Sequence, residues 1–548
     1  MPEVLRMISF KPSRRATLVL AAVAALFALG LIVRWLGLRL GLPYFHHWDE
    51  VWVTSSARSM LMRGDDVPTS YQYGAPLSRW IVLAVRAREA LGLEPAIAPG
   101  DEIALRWTGR LIGAAVSASG TIAMFVAGRA AAASVRDTSP VRVGLCAAAG
   151  YAFAYELVTH ARYAVTDASL VAFAAWSLAF TALWVERRSL VLGLLSVLFA
   201  GIGFSLKPTG LPLLMLPLSA LVLVGPRPGS PRPVFHRLLL ASAAPLFFAC
   251  FLFFNPHYID RWSDALRDVT VRIAQTRNGG FPRFLLREPG LDHLGSALWG
   301  LFGHTFSRYV PVACLLASVA CAGVFVALRA RSVVMLVAVL HAGATVLAIA
   351  WPNKTFLLRN YLVAVPCLCL AAGFALDRMA AWTRARSASR LAEAAVPVLV
   401  LGAAAIATIH DAARAQALAV DARFRALAWI EARGHQIPVR VALTPSVAGA
   451  KALGGSLPLS MFARPGIEIA GEVGSCGAVG AQAPDYVIVA SNRGGEGTWS
   501  PYRELWDLTA CPGYEQRAAF EASPYEHTYW VTETWDGRAS AVILGRVE

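Results

Sequence analysis

The chain has 548 residues, 56% hydrophobic and 16% charged, with a mean hydropathy of +0.52. A soluble protein carries about 25% charged residues, so this composition excludes a soluble globular enzyme and requires a polytopic membrane protein. The formal charge of +15 falls in short clusters between apolar runs, which fits loops meeting anionic headgroups and not a nucleic-acid partner.

A span needs roughly 20 apolar residues. Suitable runs lie at 16–37, 106–132, 141–160, 168–185, 189–206, 210–225, 237–255, 309–328, 332–350, 361–377 and 391–410. With Arg6, Lys11, Arg14 and Arg15 holding the N-terminus in the cytoplasm, every second connection should be basic. Those connections carry Arg129/Arg136, Arg187/Arg188, Arg227/Arg232/Arg237, Arg329/Arg331 and Arg378/Arg384/Arg386/Arg390. The alternation predicts eleven spans with an extracytoplasmic C-terminus. The first run is read as a span and not a signal peptide, since no convincing cleavage site follows it. Residues 1–410 form the transmembrane unit and 411–548 a separate domain.

Two external regions are large. In the first, 38–105, the segment Leu77–Leu91 carries Arg79, Arg86, Arg88 and Glu89, too many charges for a lipid-exposed span, and reads as a helix in the interface. In the tail, Ala412–Arg433 reads as helix, and Val439–Leu443 and Tyr486–Ala490 as buried strands between turn residues. This predicts a small α/β domain in which Cys476 and Cys511 could pair in an oxidising compartment. The other six cysteines fall in apolar spans and read as packing residues.

The outer ends of the spans hold the unusual polar residues. Asp49-Glu50 follows the first span within Tyr44-Phe45-His46-His47-Trp48-Asp49-Glu50. Arg162 and Asp167 lie in His160-Ala161-Arg162-Tyr163-Ala164-Val165-Thr166-Asp167, and Lys207 in Ser205-Leu206-Lys207-Pro208-Thr209. Lys354, Arg359 and Tyr361 lie between the ninth and tenth spans. The protein has only four lysines, and two of them sit at these junctions. Cations and carboxylates at one membrane face suit a lipid phosphate beside an acid/base group. The structural alternatives are helix capping by Asp49 and Asp167, pairing of Arg162 with Asp167 or Glu156, snorkelling of Lys207 and Lys354, and interface packing of Tyr361. His46, His47 and His160 are weaker candidates as metal ligands.

In this order, an Asp-Glu pair after span one, Arg-Tyr-Ala-x-x-Asp before span four, a Lys-Pro turn after span five, a Lys/Arg-Tyr junction and an external C-terminal domain, the chain resembles the GT-C superfamily of membrane glycosyltransferases. The resemblance is to the branch of protein O-mannosyltransferases and the lipid A aminoarabinose transferase. It implies a polyprenyl-phosphate-linked sugar donor, an acceptor glycan, lipid or protein, and reaction on the outer face of a bacterial-type inner membrane. By this resemblance Asp49 and Glu50 take the first-loop acidic positions, Asp167 the second-loop acidic position and Arg162 the basic position before it. Tyr73-Gly74-Ala75-Pro76-Leu77 falls where the aminoarabinose transferases carry a Lys-Pro-Pro-Leu-like stretch. Ala75 stands in for the lysine, which weighs against a lipid A acceptor or an aminoarabinose donor.

The chemistry is coherent on its own terms. A glycosyl phosphate already has a good leaving group, so the needs are a base for the acceptor hydroxyl and positive charge for the departing phosphate. Asp49 is the candidate base, with Glu50 and Asp167 as the other catalytic candidates. Arg162, Lys207, Lys354, Arg359 and Tyr361 are candidates for the lipid phosphate, and a divalent ion shared by Asp49 and Asp167 is the one cofactor left open. The rival reading is a polytopic transporter or lipid flippase. It predicts repeated halves and charges near the midplane, whereas this sequence has no evident repeat and clusters its charges at span ends.

Overall fold

Without water to satisfy its backbone, an apolar chain must hydrogen-bond within itself, which favours helices. The computed structural model describes residues 13–39, 42, 48–71, 73–93, 101–225, 233–279, 286–387, 390–417, 422–433, 438–444, 462, 464–492, 511–520 and 539–547. In chain order come α1 (Arg14–Trp35), α2 (Trp48–Arg63), α3 (Pro76–Ala90), α4 (Glu102–Ala133), α5 (Pro140–Ala152), α6 (Tyr155–Ala161), α7 (Thr166–Arg187) and α8 (Leu190–Leu206). A 3-10 turn, Pro208–Leu214, leads into α9 (Met215–Val224), then α10 (Pro233–Phe254), α11 (His257–Asp260), α12 (Trp262–Asn278), α13 (Leu291–Gly303), α14 (Val310–Arg329) and α15 (Val333–Ala350). A second 3-10 turn, Leu358–Ala364, leads into α16 (Val365–Ser387) and α17 (Arg390–Ala417).

The protein is a multi-pass membrane protein. Among the described residues, α1, α4, α7, α10, α14, α15, α16 with its 3-10 lead, and α17 are each long and apolar enough to cross a membrane. The helices α5 and α6 make a further span bent by 51°, while α8 and Pro208–Val224 are shorter apolar segments. The eleven predicted runs therefore all coincide with helices, but length and composition do not establish eleven crossings.

The bend between α5 and α6 has a specific support. A break leaves backbone carbonyls without partners, which is costly away from water. The fully buried Arg34, near the end of α1, supplies the donors: its guanidinium reaches Ala152 O at 2.9 Å, Tyr151 O at 3.3 Å, Gly30 O at 2.9 Å and Ser117 Oγ at 2.9 Å. Thr408 Oγ1 donates to Phe153 O at 2.8 Å. The two 3-10 leads are tied in a similar way. The buried His341 of α15 sets Nδ1 3.0 Å from Pro212 O and Nε2 3.3 Å from Val363 O.

The predicted interfacial segment is α3, which buries Leu77, Ile81, Val82 and Val85 and exposes Arg86 and Glu89. The predicted tail helix is divided. Asp411–Ala417 continues α17, and a separate α18 spans Ala422–Glu431. Beyond it, β1 (Val439–Leu443), β2 (Ile467–Glu472), α19 (Cys476–Gln482), β3 (Tyr486–Asn492), β4 (Tyr514–Phe520) and β5 (Ala539–Arg546) build one sheet in the order β2-β1-β3-β5-β4. β1 runs parallel to β2 and β3, and β5 antiparallel to β3 and β4. Alternation along the strands sends Val441, Leu443, Ile488 and Ile543 under Leu427 and Ile430 of α18. Ala442, Val487, Val489, Val542 and Leu544 pack on the other face with Val479 of α19. Cys476 and Cys511 are joined in a disulfide, with Cα atoms 5.3 Å apart.

Candidate active site

The first turn of α2 delivers Asp49 and Glu50, both buried. A helix rotates about 100° per residue, so the neighbouring carboxylates face different partners. Glu50 accepts two hydrogen bonds from Arg110 of α4, at 2.7 and 2.8 Å, and a third from Ala164 N–H at 2.8 Å. Arg110 also donates to Leu38 O at 2.6 Å, and its guanidinium lies 5.5 Å from the Tyr163 ring centroid. Glu50 thus ties α2 to α4 and to the α6–α7 turn. With both oxygens engaged, its carboxylate acts here as a strut.

Asp49 instead pairs with Arg359 at 2.8 Å, both side chains being under 5% exposed. In the first turn of α7, Asp167 accepts from Lys207 Nζ at 2.7 Å. Its second oxygen, Oδ2, has no hydrogen-bond partner among the described residues. The two pairs share one field, since Arg359 and His160 act on Asp167, and Asp49 and Arg359 act on Lys207. Neither aspartate is a helix cap. Both lie inside their helices, and the position before α7 is Val165.

The segment between α2 and α3 closes over Lys207. Gly74 N–H donates to Leu206 O at 3.0 Å, and Ala75 N–H to Asn255 Oδ1 at 2.8 Å. Asn255 Nδ2 in turn donates to Ser205 O at 3.1 Å, and the Tyr73 ring centroid lies 5.9 Å from Lys207 Nζ. Farther out, Asp268 accepts from Tyr71 N–H at 2.7 Å and Ser70 Oγ at 3.1 Å, while Tyr258 donates to Tyr71 O at 2.7 Å.

The other three predicted phosphate ligands have these surroundings. The stem of Arg162 lies by Gly37 and Ala415, its charge acts on Arg34 and Tyr155, and its Nε and Nη2 have no hydrogen-bond partner among the described residues. Lys354 is half-buried, its backbone held by Thr276 O and Arg287 N–H. Tyr361 is buried with its hydroxyl 2.7 Å from His293 Nε2. His293 Nδ1 lies 2.6 Å from Asn353 O, a pure acceptor, so Nδ1 carries the proton and Tyr361 donates to Nε2. Burial pushes the His293 imidazole below its usual range, with the Asn353 carbonyl opposing, so it is neutral. Tyr361 therefore anchors α13 to the Leu358–Ala364 turn. Sequence reasoning missed Arg34, Arg110, Asn255 and His293, because their partners are distant in the chain and no local spacing marks them.

The two aspartates that a divalent ion would share each face a cation, Arg359 and Lys207. Among the described residues no three His, Cys, Asp or Glu side chains are grouped to hold a metal. His46 and His47 lie outside the described residues.

No protein-family profile matches the chain, and no curated protein sequence does. Solved structures do. Apo ArnT from Cupriavidus metallidurans is similar over 97% of this chain and 98% of its own, at 15% identity and a TM-score of 0.50. The chain has a GT-C fold. ArnT bound to undecaprenyl phosphate aligns over the same shares at 15% identity and a TM-score of 0.47. The oligosaccharyltransferase AglB from Archaeoglobus fulgidus, in complex with an inhibitory peptide and a dolichol-phosphate, aligns over 86% of this chain and 69% of its own, at 12% identity and a TM-score of 0.46. Within the GT-C fold, the predicted Asp-Glu pair and second-loop aspartate stand at one end of the helical bundle, on α2 and α7.

Proposed function

We propose that the protein is a membrane glycosyltransferase moving a hexose or pentose from a polyprenyl-phosphate donor to an acceptor hydroxyl on the outer membrane face. The observation that carries this reading is the pair of buried ion pairs, Asp49–Arg359 and Asp167–Lys207, set in one field at one end of the bundle. Phosphate oxygens of the donor bind Lys207 and Arg359, where low dielectric strengthens each contact. Arg359 then exchanges its carboxylate partner for the phosphate and leaves Asp49 as the base. The acceptor oxygen attacks the anomeric carbon as its proton passes to Asp49. The bond from that carbon to the phosphate oxygen breaks, and its electron pair leaves with the lipid phosphate, held by the same cations. Asp167 keeps Lys207 in place, and Glu50 and Arg110 fix the first turn of α2.

The test is transfer of radiolabelled polyprenyl-phosphate hexoses and pentoses by purified protein, with an acceptor-rich membrane extract, beside Asp49→Asn. The expected result is turnover by the wild type and a loss of about 100-fold or more in the variant, the scale of a missing general base. Full turnover by a folded Asp49→Asn protein overturns the role of Asp49. No consumption of any donor by folded wild type overturns the enzyme reading and favours transport.

A further inference from the structure

Glu156, Thr159 and His160 lie at i, i+3 and i+4 on α6 and share one face of it. His160 Nε2 sits 3.4 Å from Glu156 Oε2. The other carboxylate oxygen, Glu156 Oε1, has no hydrogen-bond partner among the described residues, and neither has Thr159 Oγ1 or Thr305 Oγ1. All three residues are at most 2% exposed. Thr305 is fastened beside them, because Glu156 N–H donates to Thr305 O at 3.1 Å. Buried polar groups without partners are destabilising, and apolar residues of the same shape would pack without that cost. A carboxylate oxygen and two hydroxyls left over at one corner have the chemistry to receive a polar ligand.

We infer that Glu156, Thr159 and Thr305 form the subsite that reads the hydroxyl groups of the donor's sugar ring, an inference that rests on the function proposed above. His160 contacts Glu156, and its charge also acts on Asp167, the partner of Lys207. The subsite is thus linked through His160 to the field of the cations assigned to the phosphate, and a donor sugar is one oxygen atom away from its phosphate. A carboxylate only accepts hydrogen bonds, whereas a threonine hydroxyl donates or accepts. That combination suits a neutral ring with adjacent hydroxyls. A cationic amino sugar would bring another positive charge beside Lys207 and Arg359.

The experiment compares wild type with Glu156→Gln and Thr305→Val, each checked for thermal unfolding. It measures KM and kcat for a neutral polyprenyl-phosphate hexose, KM for the acceptor, and binding of undecaprenyl phosphate, which carries no sugar. The expected result for Glu156→Gln is a donor KM raised about 10- to 100-fold, as for a lost charged hydrogen bond. Undecaprenyl phosphate affinity should stay within about twofold, the pattern of lost ground-state binding to the sugar alone. Thr305→Val should raise donor KM about 3- to 10-fold, and it decides the matter alone if Glu156→Gln does not fold. An unchanged donor KM, equal weakening of both lipids, or a change confined to the acceptor KM overturns the assignment. Wild type that neither binds undecaprenyl phosphate nor transfers sugar overturns the parent reading instead, which separates the two failures.

Discussion

Asp49 and Glu50 are chemically alike and adjacent, yet they do different work because one helical step turns them toward different cations. Glu50 is locked by three hydrogen bonds against Arg110 and Ala164. Glu50→Gln should therefore act on stability. It leaves Arg110 buried without its counter-charge, a loss of about 3–5 kcal/mol, whereas Glu50→Gln with Arg110→Met should recover part of it. Thermal unfolding of the purified variants checks both outcomes. Asp49→Asn should be milder, because Arg359 also acts on Asp167 and so keeps a carboxylate neighbour. The Asp-Glu pair, Asp167 and Lys207 were legible in the sequence as charges where charges are unusual. The division of labour between them was not, since it depends on Arg110 and Arg359, which no spacing rule connects to positions 49 and 50.

At the scale of elements, the segment between α2 and α3 is held by contacts that tolerate little change. A Cβ at Gly74 would lie 1.5 Å from Ser205 O, so Gly74→Ala must push the Tyr73–Leu77 stretch away from Lys207. Misplacement of about 1 Å can cost about 100-fold in rate. Transfer by Gly74→Ala should fall by at least about tenfold on this ground, with the apolar bundle still folded, as measured by activity beside thermal unfolding. The neighbouring His257 gives the docking a pH dependence. Burial first, and the charge of Arg79 second, hold its imidazole down at about 4 against an ordinary 6.5. Neither ring nitrogen has a hydrogen-bond partner among the described residues, and the ring packs 5.2 Å from Tyr71 and 5.1 Å from Tyr258. The unfolded chain takes up this proton more readily, so the contribution is fully present above pH 6.5 and is lost as pH falls toward 4. His257→Phe should remove that share of the acid sensitivity. Unfolding midpoints measured from neutral pH downward should decline more steeply for wild type than for the variant.

For the whole molecule, a bundle that satisfies itself in lipid is followed by a sheet domain of ordinary soluble construction, stapled by Cys476–Cys511. The bond closes a loop of 35 residues, for which chain entropy gives about 3–4 kcal/mol. Replacing both cysteines with serine should lower the stability of the C-terminal domain by about that amount, with the transmembrane bundle little affected, as followed by proteolysis of the tail. The sequence by itself determined that the protein is polytopic, where its apolar helices run, that α3 has one buried face, and that Val439–Leu443 and Tyr486–Ala490 are strands. Hydropathy and periodicity are local properties, and burial in lipid or in a sheet reads them directly. Tertiary structure alone decided the bend after Ala152 and its support by Arg34, the strut role of Glu50, the pairing of Tyr361 with His293, and the seating of Gly74 on α8. Each depends on a donor meeting an acceptor from a distant part of the chain, and only the packed bundle brings such groups within hydrogen-bonding distance.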